Sequence, residues 1–406
     1  MRLRASSWLC VLLLSACAVQ PPAPRPVPAP VPPVAPLPAP PAAPLPAPAV
    51  TYPTLKPASW SSVNLGRDSQ LSEAWTAFLR SCATLVKQSG WQAVCSKAMA
   101  MPLPDDKTTR AFFEQWFQPY QATQEDGTPD GLITGYYEPL LKGDRVRTER
   151  ARYPLYAAPD DLIAVDLASI YPELKGLRLR GRLLGSKIVP YFTRQDIEQP
   201  ANGNSDRFKG KPIAWAEDPV DLFFLQIQGS GRLELPDGSH MRVGYADQNG
   251  YPYLSIGKLL VERGELKLEQ ASMQGIKDWG AKHPDKLPDL LASNPSFVFF
   301  RELPDDLPGP LGSLGVPLTG GRSIAVDPGF IPLGAPVFLS TTQPNSTQPL
   351  NRLVMAQDSG GAIKGGVRAD FFWGFGNPAG ELAGRMKQRG RMWVLLPRTL
   401  SGILPR

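Results

Sequence analysis

The chain predicts a mainly β body with a helical N-terminal part. Two observations carry this. From Leu132 onward, short apolar runs such as GLITGYYEPLL, RYPLYAAP, RLRGRLLG and KIVPYFTR are separated by Gly/Pro turns. That is the pattern of barrels and sandwiches, not of strands alternating with crossover helices. Before Leu132, apolar residues recur at helical spacing instead. The length, 406 residues, leaves room for about two or three domains.

The first residues, MRLRASSWLCVLLLSAC, combine a basic start (Arg2, Arg4) with a short apolar core from Trp8 to Leu14. This reads as a secretory signal, residues 1–16, too short to span a membrane. Leu14-Ser15-Ala16-Cys17 resembles a bacterial lipobox, which implies cleavage before Cys17 and a diacylated thiol. An ordinary signal cleaved near Ala16 or Ala18 is the alternative. Ala18 rather than Asp after the cysteine resembles the sorting rule that sends lipoproteins of Gram-negative bacteria to the outer membrane, facing the periplasm. Of the 46 prolines, 17 crowd the stretch from Pro21 to Pro57. Residues 17–58 therefore read as a polyproline II tether, with a reach on the order of 100 Å at about 3.1 Å per residue.

Leu71, Trp75, Phe78, Leu79, Cys82 and Leu85 mark a first helix, with Asp68 or Ser69 as its cap. A second carries Trp91, Val94, Cys95 and Ala98. A third starts near Asp106 and buries Phe112, Phe113, Trp116, Phe117 and Tyr120. Cys10 leaves with the signal and Cys17 takes lipid, so Cys82 and Cys95 remain as an even pair in an oxidising compartment. They form a disulfide or stay as two buried helix thiols. After the strands named above, DLFFLQIQGSGRLELPDGSHMRVGYA reads as a hairpin turning at Pro236-Asp237-Gly238. Helical signals return at Ser255–Glu262 and from Ala271 to about Trp279. Strands then resume as SFVFFRE, RSIAVDP, APVFLS, RLVMAQD and RMWVLLP.

Composition narrows the chemistry. A net charge of +6 without a Lys/Arg block excludes nucleic acid and suits an anionic cell envelope. Only two histidines are present, His283 and His240, the latter in a predicted turn, so a Ser-His-Asp triad or a multi-histidine zinc site is hard to build. No Walker A loop or dinucleotide fingerprint is present. Carboxylates are left for acid–base work. Asp327, Asp358 and Asp370 each adjoin an apolar segment and read as sitting where strands empty onto a rim. Asp327 and Asp358, beside Pro328 and Ser359-Gly360-Gly361, also fit ordinary turn residues. Asp370 precedes Phe371, Phe372 and Trp373, so desolvation favours its protonated form, as a general acid requires. Asp358 and Asp327 raise its pKa further or organise the loop. Lys364 or Arg368 lowers it. Tyr136, Tyr137 and Glu138 offer faces and hydrogen bonds for pyranose rings, and Gln226, Gln228 and the bare backbone of Gly229-Ser230-Gly231 suit hydroxyl and N-acetyl groups. Aromatic core and a tight turn account for the same residues.

At these positions the chain resembles the membrane-bound lytic transglycosylase A family of bacteria. The matching motifs are GYYEP (135–139), FFLQIQGSGRL (223–233), NPSFVFFR (294–301), GRSIAVDP with IPLGAPVFL (321–339), AQDSGGAIKG (356–365), RADFFWGFG (368–376) and GRMWVLLP (390–397). The resemblance implies a double-psi β-barrel and a smaller inserted β-barrel with a groove between them. Residues 59–140 would form the helical N-terminal part of the catalytic body, 141–300 the inserted domain and 301–406 the catalytic three-aspartate part. It also implies a single catalytic acid/base at Asp370, supported by Asp327 and Asp358. Tyr136, Tyr137, Glu138, Gln226, Gln228, Gly229, Ser230, Gly360, Gly361, Lys364 and Trp373 would line the groove. The implied reaction cuts the β-1,4 bond between N-acetylmuramic acid and N-acetylglucosamine in peptidoglycan, leaving a 1,6-anhydro product, with neither metal nor cofactor. Any partners in a wall-synthesis complex stay open. The rivals are a muramidase-type hydrolase using a second carboxylate such as Glu138, and a peptidoglycan-binding lipoprotein without activity.

Overall fold

The structure, a computed structural model, describes residues 52–174, 177–198 and 208–400. The signal segment, Cys17 and the tether up to residue 51 lie outside the described residues. The strands of the first part are β1 (Leu55–Pro57), β2 (Phe117–Ala122), β3 (Gly131–Glu138), β4 (Leu140–Asp144), β5 (Tyr153–Tyr156), β6 (Ile163–Ala164), β7 (Arg180–Leu184), β8 (Lys187–Pro190) and β9 (Pro212–Ala216). They are followed by β10 (Ser230–Glu234), β11 (His240–Gln248), β12 (Val298–Glu302), β13 (Ser323–Val326), β14 (Pro336–Thr342), β15 (Pro349–Asp358), β16 (Arg368–Phe375) and β17 (Lys387–Pro397).

An eight-stranded sheet runs β1-β2-β17-β14-β15-β13-β16-β3, and a further pairing of β17 with β3 closes six of these strands into a barrel. Closure removes free edges. Parallel pairs β13/β15 and β3/β16 sit among antiparallel neighbours. Alternation decides which side chains fill the interior. Ile133, Val354, Ala369 and Phe371 point into the main core, as do Ile324 and Val326 of β13, while Ala325 lies in another cluster.

The N-terminal helices pack onto this barrel. Ala74–Leu85 presents Trp75, Phe78, Cys82 and Leu85, all fully buried. The third helix, Asp106–Trp116, is capped by Asp105, which accepts from the Thr108 N–H at 2.8 Å. It ends sooner than the sequence predicts. Phe117 and Tyr120 belong to β2, because Pro119 has no N–H to continue a helix and holds Gln118 extended. Asp68 is not a cap either. It is buried and accepts from Arg322 Nη1 (2.5 Å), Arg352 Nη1 (3.0 Å) and the Leu353 N–H (2.9 Å). Gln357 adds a second tie, donating to the Ala77 carbonyl and the Ser81 hydroxyl. Cys82 and Cys95 form a disulfide between the first two helices. Converting both to serine is expected to cost about 2–4 kcal/mol in reversible denaturation. A loss below about 0.5 kcal/mol would mean the packing alone holds these helices.

After Glu138 the chain leaves the barrel, and it returns at Ser323. Between them a second sheet runs β12-β11-β10-β4-β9-β5, with a small three-stranded sheet β6-β7-β8 beside it. The Pro236-Asp237-Gly238 turn joins β10 to β11, with Gly238 at φ 81° and the Asp237 carboxylate accepting from the Ser239 N–H. Upstream of it, the structure corrects the sequence reading. Pro219–Gln228 is an α-helix, not a strand. Asp218 caps two of its N–H groups, Pro219 opens it and Gly229 closes it in the left-handed region at φ 77°. Its Val220 and Phe223 join Leu260, Ile276, Trp279 and Leu290 from the helices Ile256–Glu262, Met273–Lys282 and Leu287–Ala292 in a separate core.

Candidate active site

One row of residues crosses the outer face of the barrel. Strand pairing places Asp358 opposite Ala325, Ala325 opposite Asp370, Asp370 opposite Thr134 and Thr134 opposite Lys387. Five strands, drawn from both ends of the chain, thus contribute one residue each. Tyr136 stands two positions along β3 on the same face. With Leu318, Ala325, Ile363 and Phe372 it makes an apolar floor.

Asp370 is the third residue of β16, not the end of a strand as its sequence context suggests. It is only partly exposed. Thr134 donates to its Oδ1 at 2.6 Å. Loss of surrounding water raises its pKa from the ordinary carboxylate value to about 6. The Thr134 bond and the Arg368 guanidinium pull it back less, and the charge of Asp358 pushes it up. The group therefore takes up and gives back a proton near neutral pH.

The other two acids are held by hydrogen bonds. Asp358 Oδ1 accepts from the Ser313 N–H, the Ser313 hydroxyl and the Ser359 N–H, each at 2.9 Å, and Oδ2 accepts from the Tyr136 hydroxyl at 3.0 Å. Burial, then the two nearby carboxylates, raises the Tyr136 pKa well above its usual value, so this hydroxyl stays a donor. Asp327 Oδ1 accepts from the Gly329 N–H (3.1 Å) and Oδ2 from the Gly365 N–H (3.0 Å), pinning the loop after β13 to the loop after β15. That second loop carries exposed Gly361 and Lys364 and half-buried Gly360.

Several predicted groove residues face elsewhere. Glu138 is buried between Arg232 (2.9 Å) and Arg242 (3.3 Å), so both its oxygens are taken. Gln226 is buried and accepts from Arg194. Trp373 points to the opposite face from Asp370, stacking edge-on against Phe371 and donating to Met386 Sδ, as alternation along β16 requires. Gln228 accepts from the Tyr137 N–H at 3.2 Å, and the Tyr137 hydroxyl meets Met273 Sδ at 3.7 Å. Gly229 ends a helix and Ser230 begins β10. Sequence reasoning missed Thr134 and Ser313. Thr134 had a signal, since it alternates with Tyr136 in GLITGYYEP. Ser313 lies in an irregular segment and had none.

Two family models match the chain: the MltA specific insert domain over residues 132–301 and the 3D domain over 322–396. A membrane-bound lytic murein transglycosylase A from Escherichia coli K12 is 35% identical over 283 residues, 68% of each chain. Among solved structures, a monoclinic crystal form of MltA from Neisseria gonorrhoeae is 42% identical with TM-score 0.74, covering 86% of this chain and 97% of that one. Escherichia coli MltA with bound chitohexaose is 30% identical with TM-score 0.58, covering 80% and 89%.

Proposed function

This chain belongs to the membrane-bound lytic murein transglycosylase A family, and we propose that it cleaves the β-1,4 bond between N-acetylmuramic acid and N-acetylglucosamine in peptidoglycan, with Asp370 as the one acid/base. The observation that carries this is the half-buried Asp370 carboxyl bonded by Thr134, a setting whose burial pushes its pKa up to about 6. Protonated Asp370 donates to the leaving oxygen as an oxocarbenium-like centre develops at C1 of the muramoyl sugar. The carboxylate then removes the proton from that sugar's C6 hydroxyl, which attacks C1 and closes a 1,6-anhydro ring. No water enters. An internal nucleophile needs no second carboxylate to activate it. The arginine pair on Glu138 and the four hydrogen bonds to Asp358 speak against either acid serving as a hydrolase's general base. Asp358 instead holds the Tyr136 hydroxyl, and Asp327 holds the loop bearing Lys364.

The same reading makes Cys17 the lipidated residue of an outer-membrane lipoprotein facing the periplasm, with the proline-rich segment as tether. The Cys82–Cys95 disulfide supports an oxidising compartment. Residues 141–300 would be the inserted β-barrel domain. Mass spectrometry of muropeptides released from sacculi tests the chemistry. Products lighter by one water than those of a muramidase are expected; reducing-end products would replace this reading with hydrolysis.

A further inference from the structure

We propose that the outward face of β17 beside Asp370 is a subsite for carboxylates carried on the muramoyl sugar, with Lys387 and Arg389 as its binding residues. This rests on the reading of Asp370 as the cleavage site in peptidoglycan. Lys387 is paired with Thr134, which bonds Asp370, and Arg389 is paired with Leu132, which is itself paired with Arg368. The two rows Asp370–Thr134–Lys387 and Arg368–Leu132–Arg389 therefore lie side by side on one face. The intervening positions Gln388 and Gly390 face the other way, Gln388 donating to Thr342 Oγ1 and Gly390 sitting over Ile133.

Strands lie about 4.8 Å apart and alternate residues about 6.7 Å apart, so the Lys387 and Arg389 backbones are roughly 10 and 12 Å from that of Asp370. Their flexible side chains span the remaining gap to a substituent on a sugar held at Asp370. Both are exposed, and neither forms an ion pair among the described residues. Asp130 feels the charge of Arg389 but pairs with Arg391 at 3.0 Å, and Glu381 lies 4.0 Å from Arg385. Leu132, 39% exposed between Arg368 and Arg389, offers an apolar contact for a short alkyl side chain. A surface with unpaired cations on one side of the candidate acid fits an anionic substituent. In peptidoglycan the muramoyl sugar supplies two such sources: the carboxyl of its lactyl ether, when bare, and the carboxylates of an attached stem peptide.

The test measures affinity in an Asp370→Asn background, so its outcome does not depend on which bond the enzyme breaks. The ligands are glycan strands with intact stems, strands with stems removed, and a neutral chito-oligosaccharide. Adding Lys387→Gln and Arg389→Gln is expected to weaken binding of the muramoyl strands that carry the contacted carboxylate about 5- to 10-fold relative to the chito-oligosaccharide, the effect of two exposed charge contacts. A loss confined to stem-free strands assigns the contact to the lactyl carboxylate, which is ionised only there, a loss confined to stem-bearing strands assigns it to the peptide, and a loss with both shows that the subsite takes either carboxylate. Arg389→Lys should recover part of the loss. Equal weakening of all three ligands, or of none, overturns the proposal. Circular dichroism of the variant confirms that it is folded before binding is read.

Discussion

Replacing Asp370 by asparagine is expected to lower turnover on peptidoglycan by about 10³-fold or more, the scale of a lost general acid/base, while raising stability at neutral pH. The second half follows from the direction of the pKa shift. A carboxyl at about 6 in the folded chain and 3.8 as a free side chain binds more protons when folded. Its contribution to stability is therefore lost as pH rises from about 4 through 6, and at pH 7.5 the ionised group costs roughly 2–3 kcal/mol. Asparagine keeps an oxygen for the Thr134 hydroxyl and carries no charge. The melting temperature of Asp370→Asn should exceed that of the wild type at pH 7.5, with the gap closing as pH falls toward 4. Wild-type kcat/KM should fall as pH rises past 6, because the proton donor is titrated away. Near-normal turnover in the variant would end the single-acid mechanism. A pH-independent stability gap would show that the carboxyl is not desolvated in solution.

The second large effect is expected far from the chemistry. Asp68→Ala leaves Arg322, 2% exposed, and Arg352 without the carboxylate that both share. Breaking a buried pair of this kind costs about 3–5 kcal/mol, and the cost should appear as early unfolding in urea. The segment from β1 to β2 should also become protease-sensitive, since this ion pair ties it to β13 and β15. Replacing Asp68, Arg322 and Arg352 together with apolar residues should recover much of the loss, because no charge is then stranded. A change under about 1 kcal/mol for Asp68→Ala would show that Glu73 and the Gln70 and Leu353 carbonyls suffice for Arg322.

How much of this was legible depended on whether the signal was local. The helices were, because Trp75, Phe78, Cys82 and Leu85 repeat at a period no strand has. The aromatic neighbours of Asp370 also pointed to desolvation without any structure. What failed were assignments whose deciding partner is remote. Glu138 looks like a sugar-binding acid until Arg232, 94 residues later, neutralises it. Asp68 looks like a cap until Arg322, 254 residues later, claims it. The Pro219–Gln228 helix is a different case. Phe-Leu-Gln-Ile-Gln alternates like a strand, and that pattern outweighed the capping signals of Asp218, Pro219 and Gly229 that decide the structure. The family resemblance implies Trp373 in the groove; with Asp370 mid-strand, alternation turns Trp373 to the opposite face.

The row Asp358–Ala325–Asp370–Thr134–Lys387 also fixes when activity can begin. Thr134 is made early, but the strand that presents Asp370 starts at residue 368 and the strand that closes the barrel starts at 387. Pairings this distant in sequence form late. A chain emerging N-terminus first therefore holds half the row through most of its synthesis. A stalled or C-terminally clipped copy has no closed barrel and no assembled acid. With Asp370 as the proposed acid, this topology ties lytic power to a finished chain.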